Sequence, residues 1–271
     1  MAIAYAQEAV ADKKGARFGK LIRQAAKRFI DDLARAKKRC APFRFSPEHA
    51  CHACGFIELL PHVEGKWETP EIRMHRSHVF FVVQLFGFRK PDGTRRFTSA
   101  LFAVARKNAK STLASAILLY CQCCENEEGA QVISAATTFP QASIIFNVAK
   151  RMVEKTPDLK EAYGLETWAK SITRMEIGAS FKPIHAKAST QVGLNPSHVG
   201  LDEIHAHNAG PAQRPAVRRR RAPEPALAVH HNRGVHQPGP MGGDPPVREA
   251  AARRRVRPRG RPLPGGVLRH R

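Results

Sequence analysis

The chain has 271 residues and a formal charge of +22 at neutral pH. No apolar run approaches the roughly 20 residues of a membrane-spanning helix, and the first twenty residues lack the apolar core of a secretion signal. Membrane-spanning and secreted classes are therefore set aside, and the six cysteines are expected to be reduced thiols of a cytosolic protein.

In chain order, residues 18–36 read as an amphipathic helix. Phe18, Leu21, Ile22, Ala25, Phe29 and Leu33 fall on one face, and Lys20, Lys27, Arg28, Asp31 and Arg35 fall elsewhere. Ser46-Pro47-Glu48 has the form of a helix start. Residues 61–71 read as a loop, and the apolar run 78–88 as a buried segment, helix or strand. Asp92-Gly93 is the pivot of a turn. From there the pattern alternates. A β-rich run ends at Ala105. Residues 110–124 read as a helix, 130–138 as a strand, and 139–155 as a helix with Pro140 in its first turn. Two short strands flank Gly178, and a last apolar run ends at Asp202 and Glu203. Strands alternating with helices imply a mostly parallel sheet covered by helices, an α/β fold.

The junction of the first strand and helix reads Ala105-Arg106-Lys107-Asn108-Ala109-Lys110-Ser111-Thr112. A phosphate-binding loop of the glycine-rich type needs three things. Backbone N–H groups at a helix N-terminus must face the phosphates, a lysine must reach the terminal ones, and a hydroxyl must hold magnesium. Lys110 and Ser111, with Thr112 beside it, are candidates for the last two. The two glycine positions of the motif are Val104 and Ala109 here, and alanine is the least costly replacement where backbone must approach a ligand. On this stretch alone a basic strand-to-helix turn explains the residues equally well. Asp202 and Glu203 strengthen the nucleotide reading. They close a strand 92 positions after Lys110, where such enzymes present one acid to magnesium and use a second to activate water. Arg106 lies within the loop. It either stabilises phosphate charge, contacts a DNA phosphate, or is a surface cation.

Three segments, 95–116, 133–153 and 193–207, together with the N-terminal helix and the block from Phe56 to Met74, resemble the ATPase domain of the large terminase subunit of tailed bacteriophages. The resemblance runs in order from about Tyr5 to His207. It implies a P-loop ATPase core over 71–208, behind a helical N-terminal region over 1–70. It also implies ATP and Mg2+ as cofactors. Lys110 and Ser111 would serve the phosphates and magnesium, Arg106 as loop arginine, Asp202 as magnesium-shell acid, and Glu203 as the base that polarises water. Lys107, Asn108, Ala109 and Thr112 complete the nucleotide-binding loop. Where the family has Trp-Gln near the adenine, this chain has Ser77 and His78; His78 retains one hydrogen bond to offer. The family usually has glycine at the position of Ala109. Its partners are double-stranded DNA, the portal of the procapsid, the small terminase subunit and further copies in a ring on the portal. Its place of work is the cytoplasm of the bacterial host.

Residues 209–271 break the pattern. They hold fifteen arginines against three acids, no lysine and no Phe, Tyr or Trp, a net of about +12. Read one base later, codons permitted for Val229–Gln237 allow Phe-Ile-Thr-Thr-Ala-Gly-Phe-Thr. The resemblance implies an Ile-Thr-Thr-Ala-Gly strand near this point. The expectation is an out-of-frame or disordered tail with no strand, a chain without the family's nuclease domain, and an ATPase sheet left with an uncovered apolar edge. A genuine arginine-rich tail that binds nucleic acid is the alternative. For the whole chain, the readings that compete with a packaging ATPase are another P-loop translocase or helicase, and a non-catalytic basic nucleic-acid binder. Cys51 and Cys54, with Cys40, His49 and His62 nearby, read as small packing residues in preference to a zinc site. Trp67 and Trp168 are also expected to pack.

Overall fold

The computed structural model describes residues 1–105, 108–125, 127–185 and 195–202, together with the backbone of 226–231. Seven helices are described: α1 (Ala2–Ala11), α2 (Lys20–Ala36), α3 (Pro47–Leu59), α4 (Arg76–Gly87), α5 (Lys110–Cys124), α6 (Phe139–Glu154) and α7 (Pro157–Ala162). A two-residue ribbon pairs β1 (Arg44–Phe45) with β2 (Phe88–Arg89). The main sheet contains β3 (Ser99–Ala103), β4 (Gln131–Ala136), β5 (Leu165–Thr167), β6 (Ile172–Arg174), β7 (Ala179–His185), β8 (His198–Leu201) and β9 (Ala226–His231), in the order β3-β9-β8-β4-β7-β6-β5.

Local chemistry explains most boundaries. Ser46 caps α3, its hydroxyl accepting the N–H of His49 at 3.3 Å, and Pro47 occupies the first turn. Thr138 caps α6 in the same way, accepting from Gln141 N–H at 3.4 Å, with Pro140 one step in. Gly178 turns the chain between β6 and β7 at φ +65°, a conformation that side chains resist. The apolar run at 78–88 resolves as helix, because it lies in α4 and reaches extended backbone only at Phe88.

β4 sits at the centre, parallel to both β7 and β8. β9 runs antiparallel to β3 and β8, and β6 antiparallel to β5 and β7. Five strands therefore share one direction while two oppose it. The fold is α/β with a helix-covered sheet, and its pairing is mixed. α5 packs against β4, β7, β8, β9 and α6, and α6 in turn packs on β4 and β7. Every residue of α5 from Leu113 to Cys123 is buried, which is why its sequence is apolar nearly all round. Leu118 makes the closest approach. A Cβ at Gly200 of β8 would stand 2.7 Å from Leu118 Cδ1, so glycine there lets helix and strand meet. The main apolar core joins α5 and α6 to Phe56, Ile57 and Leu60 of the α3 region and to Val82, Leu85 and Phe86 of α4. A second cluster, made of α1, α2, Phe43, Phe80 and Phe88, lies on the other side of α4.

The structure differs from the sequence reading in four places. α1 was not read from the sequence; it buries Ala2, Tyr5, Ala6 and Ala9, a face too small to stand out by hydropathy. α2 buries Ala26, Phe29, Asp32 and Ala36, leaving Leu21 76% exposed. Its inner face is rotated from the most apolar one because Asp32 points inward to Arg96 Nη1 at 2.8 Å. Trp67 and Trp168 do not pack inside but are 57% and 56% exposed. Trp67 lies flat on His62 with ring centroids 4.2 Å apart, and Trp168 donates its indole N–H to Thr173 Oγ1 at 3.2 Å. Finally, a strand occurs beyond residue 208. β9 fills the gap between β3 and β8, so those two strands are not left open to each other. Its six residues carry neither arginine nor proline, and such a stretch can pair even within a segment unable to build a core of its own. The rest of the expected tail lies outside the described residues.

Candidate functional site

Residues 99–112 form a strand, a tight loop and a helix start. β3 delivers the chain to Val104 and Ala105, and α5 begins at Lys110. Asn108 shapes the loop from outside, donating its side-chain N–H to the Ala105 carbonyl at 3.0 Å. Ala109 occupies the N-cap at φ +50°, ψ +27°, and among the described residues it is the one non-glycine with positive φ. The position where a glycine is expected thus has the left-handed backbone that explains the expectation, and alanine holds it at a cost of about 1–2 kcal/mol. The first intrahelical bond runs from Leu113 N–H to Ala109 C=O at 2.9 Å. Among the described residues neither a capping side chain nor a first-turn acid occupies this end of the 15-residue helix, the kind of amide-rich terminus that suits an anion.

Asp202 arrives from the other side of the sheet order. It follows β8 directly, and its N–H donates to Ala135 C=O at 3.1 Å, which ties it to the end of central β4. Lys110 Nζ donates to Asp202 Oδ1 at 2.5 Å. Both side chains are largely sheltered, 15% and 9% exposed. Lysine and aspartate, 92 residues apart in sequence, thus converge at the ends of β3 and β8, with β9 between those strands. Ser111 and Thr112 lie beside Lys110 in the first turn of α5 and are half-buried. Arg106, Lys107 and Glu203 lie outside the described residues.

His78, on α4, is placed against β3. Its ring meets Phe102 edge-on at 5.6 Å and faces His75 at 6.2 Å. Burial, with the charge of His75 adding to it, holds His78 below the ordinary imidazole range. That shift favours the neutral ring, which has one nitrogen to donate and one to accept. A surface cleft of about 710 Å³, lined by Leu165, Trp168 and Met175 among others, lies at the β5 edge away from these residues. It contains none of the loop chemistry, and size alone does not make it the site.

The far end of α5 carries a feature that sequence reasoning missed. Glu125, just past the helix, accepts from Arg89 Nη2 at 3.1 Å and faces Arg95 Nε at 3.2 Å. Arg95 is 1% exposed and stacks over Phe86 at 5.2 Å. Burial pulls the Glu125 carboxyl upward, but the charges of Arg95 and Arg89 outweigh it and hold the group at about 2. No spacing rule links residues 89, 95 and 125, so this cluster had no sequence signal. The cysteines pack as expected where they are buried. Cys121 and Cys123 lie in the core, and burial pushes the Cys121 thiol up to about 12. Cys54 is half-buried with its thiol also at about 12, whereas Cys51 faces solvent. His52 is engaged with the Tyr120 hydroxyl at 3.1 Å.

A helix-covered sheet with a lysine-bearing loop at one strand end and an aspartate at another defines the class of phosphate-loop nucleotide-binding domains. The comparison with known proteins is narrower. Residues 76–219, just over half of the chain, match the family model "Terminase large subunit, ATPase domain", and the chain belongs to that family. The large terminase subunit of Enterobacteria phage HK97 is 31% identical over 152 residues, covering 55% of this chain and 29% of that protein. The crystal structure of the HK97 bacteriophage large terminase aligns at 25% identity and a TM-score of 0.43, covering 54% of this chain and 29% of that one. The matched region therefore spans under a third of each relative's length. Among the described residues no helix is long and apolar enough to cross a membrane.

Proposed function

We propose that this chain contributes the ATP-hydrolysing part of a motor that packages double-stranded viral DNA. The observation that supports this most strongly is the meeting of Lys110 and Asp202 at the mouth of α5. A lysine at a helix N-terminus and a carboxylate brought from a second strand are the donor set that a nucleoside triphosphate and its magnesium require. In this reading Lys110 and the first-turn amides of α5 bind the terminal phosphates. Lys107, Asn108 and Thr112 would complete the nucleotide-binding loop, and Ala109 holds its turn. Ser111 and Asp202 hold magnesium, which when bound neutralises charge on the phosphates. Arg106 would stabilise charge on the transferring phosphate, Glu203 would polarise the attacking water, and His78 would offer its hydrogen bond to the base. Family membership adds the partners: DNA, a portal on the procapsid, a small terminase subunit, and further copies in a ring, all in the host cytoplasm.

DNA-stimulated ATP turnover is the direct test. Lys110→Ala and Glu203→Gln each abolish turnover in this reading, with the fold retained by circular dichroism. DNA binding with no turnover in the parent chain, over a range of magnesium concentrations, would reduce the protein to a basic nucleic-acid binder.

A further inference from the structure

From Lys13 to Arg39 the chain holds eleven cations and two acids. The acids in and beside this segment are absorbed by the fold. Asp12 accepts the backbone N–H groups of Ala16, Arg17 and Phe18 at 2.8–3.1 Å. Asp32 is buried between Arg96 and Arg35, Asp31 is matched by Lys27 at 2.9 Å, and Glu8 pairs with Arg76. Lys13 and Lys14 before α2 with Lys20 at its start, and Lys37, Lys38 and Arg39 after it, remain exposed. None of these six forms an ion pair with an acid among the described residues. Two uncompensated basic clusters thus stand at the two ends of one 17-residue helix, about 25 Å apart at 1.5 Å per residue. That is the length of about seven base pairs of duplex at 3.4 Å per step. Arg28, also exposed, lies between them.

We infer that α2 and its two flanking turns form a contact surface for the phosphate backbone of double-stranded DNA, separate from the nucleotide site. The inference rests on the packaging reading for its choice of partner, while the surface itself follows from charge. Composition selects duplex over single strand. A single-strand platform needs exposed aromatic faces for bases to stack on. Within 13–39 the aromatic residues are Phe18 and Phe29. Phe29 is 1% exposed, and Phe18 is packed edge-on against Tyr5. The surface offers point charges on flexible stems and no ring, so it reads phosphates and not sequence.

The test is binding of the full chain to a labelled 30-base-pair duplex, followed by fluorescence anisotropy across a salt series. Two variants neutralise the clusters: Lys13→Gln/Lys14→Gln/Lys20→Gln, and Lys37→Gln/Lys38→Gln/Arg39→Gln. A third, Lys66→Gln/Lys155→Gln/Lys160→Gln, removes the same charge from exposed lysines elsewhere and controls for the arginine-rich remainder of the chain. Each cluster variant is expected to lower the slope of log K against log salt by about 2–3, since each lost phosphate contact removes about 0.9. Each should also weaken binding at least tenfold at about 0.1 M salt. The control should change both much less. Equal losses in cluster and control variants would overturn the inference, as would equally tight binding of a 30-nucleotide single strand with the same variant sensitivity. Melting temperatures matching the parent verify that the variants fold. ATP turnover without DNA separates the two readings. If the parent hydrolyses no ATP yet the clusters govern duplex binding, the motor reading fails and this surface stands.

Discussion

The two ends of α5 carry the same chemistry, a cation against a sheltered carboxylate, in different arrangements. At the Glu125 end one carboxylate is held by two arginines, of which Arg95 is almost fully buried beneath Phe86. At the Lys110 end a single lysine meets a single aspartate, next to a loop with an alanine in left-handed backbone. The first arrangement is over-determined, because neither arginine can leave without stranding charge in the core. At the second, the proposed reading has a phosphate take the lysine and magnesium the aspartate when both are bound. In that reading the same helix is held at one terminus and open to ligand exchange at the other.

The largest effect that would break this contrast is expected from Glu125→Ala. It leaves two guanidinium groups, one of them 1% exposed, without their carboxylate, and stability should fall by about 3–5 kcal/mol in urea denaturation. A loss below about 1 kcal/mol would show the lock to be ornamental. Asp202→Asn at the other end should act on turnover instead. Magnesium-dependent ATP hydrolysis should drop about 10²–10³-fold, equivalent to about 3–4 kcal/mol of barrier, while the stability loss should stay below that of Glu125→Ala, because the isosteric amide oxygen can still accept from Lys110. A large stability loss with turnover preserved would reverse the roles of the two ends.

The acid limb sharpens the comparison further. Glu125 is held at about 2 against an ordinary 4.5. Its folded-state value is depressed, so its contribution is fully present above about pH 4.5 and is lost as pH falls toward about 2. Parent protein should lose stability through that window more steeply than Glu125→Gln, measured as unfolding free energy against pH. The smallest expected effect has the opposite sign. Ala109→Gly removes the side-chain penalty at φ +50°, and stability should rise by about 1 kcal/mol. A decrease would mean that the loop backbone is not left-handed in solution.

Much of the fold was legible in local pattern. Residues 110–124 match α5 at both ends, Pro140 does sit in the first turn of α6, and Gly178 does mark the bend between two strands. These features depend on neighbours a few residues away, through helix periodicity, proline geometry and positive φ. The lysine, the hydroxyl and the acid of the candidate site follow from residue type, because phosphate chemistry limits the types that can serve, and the structure brings the lysine and the acid together. Arg106, Lys107 and Glu203 were read from the same logic and lie outside the described residues.

What local pattern could not reach is each feature set by distant partners. Asp32 turns inward because Arg96 waits for it, and that rotates α2 away from its most apolar face. The clamp on Glu125 draws its cations from residues 89 and 95, and β9 takes its place from the space between two strands formed more than twenty residues earlier. The amino-acid sequence by itself determined helices such as α5 and α6, the turns and the types of group available for phosphate chemistry, since those follow from short-range sterics and hydrogen bonding. Only the tertiary structure decided that Lys110 and Asp202 meet. Burial and ion pairing act through space, and sequence distance does not encode them.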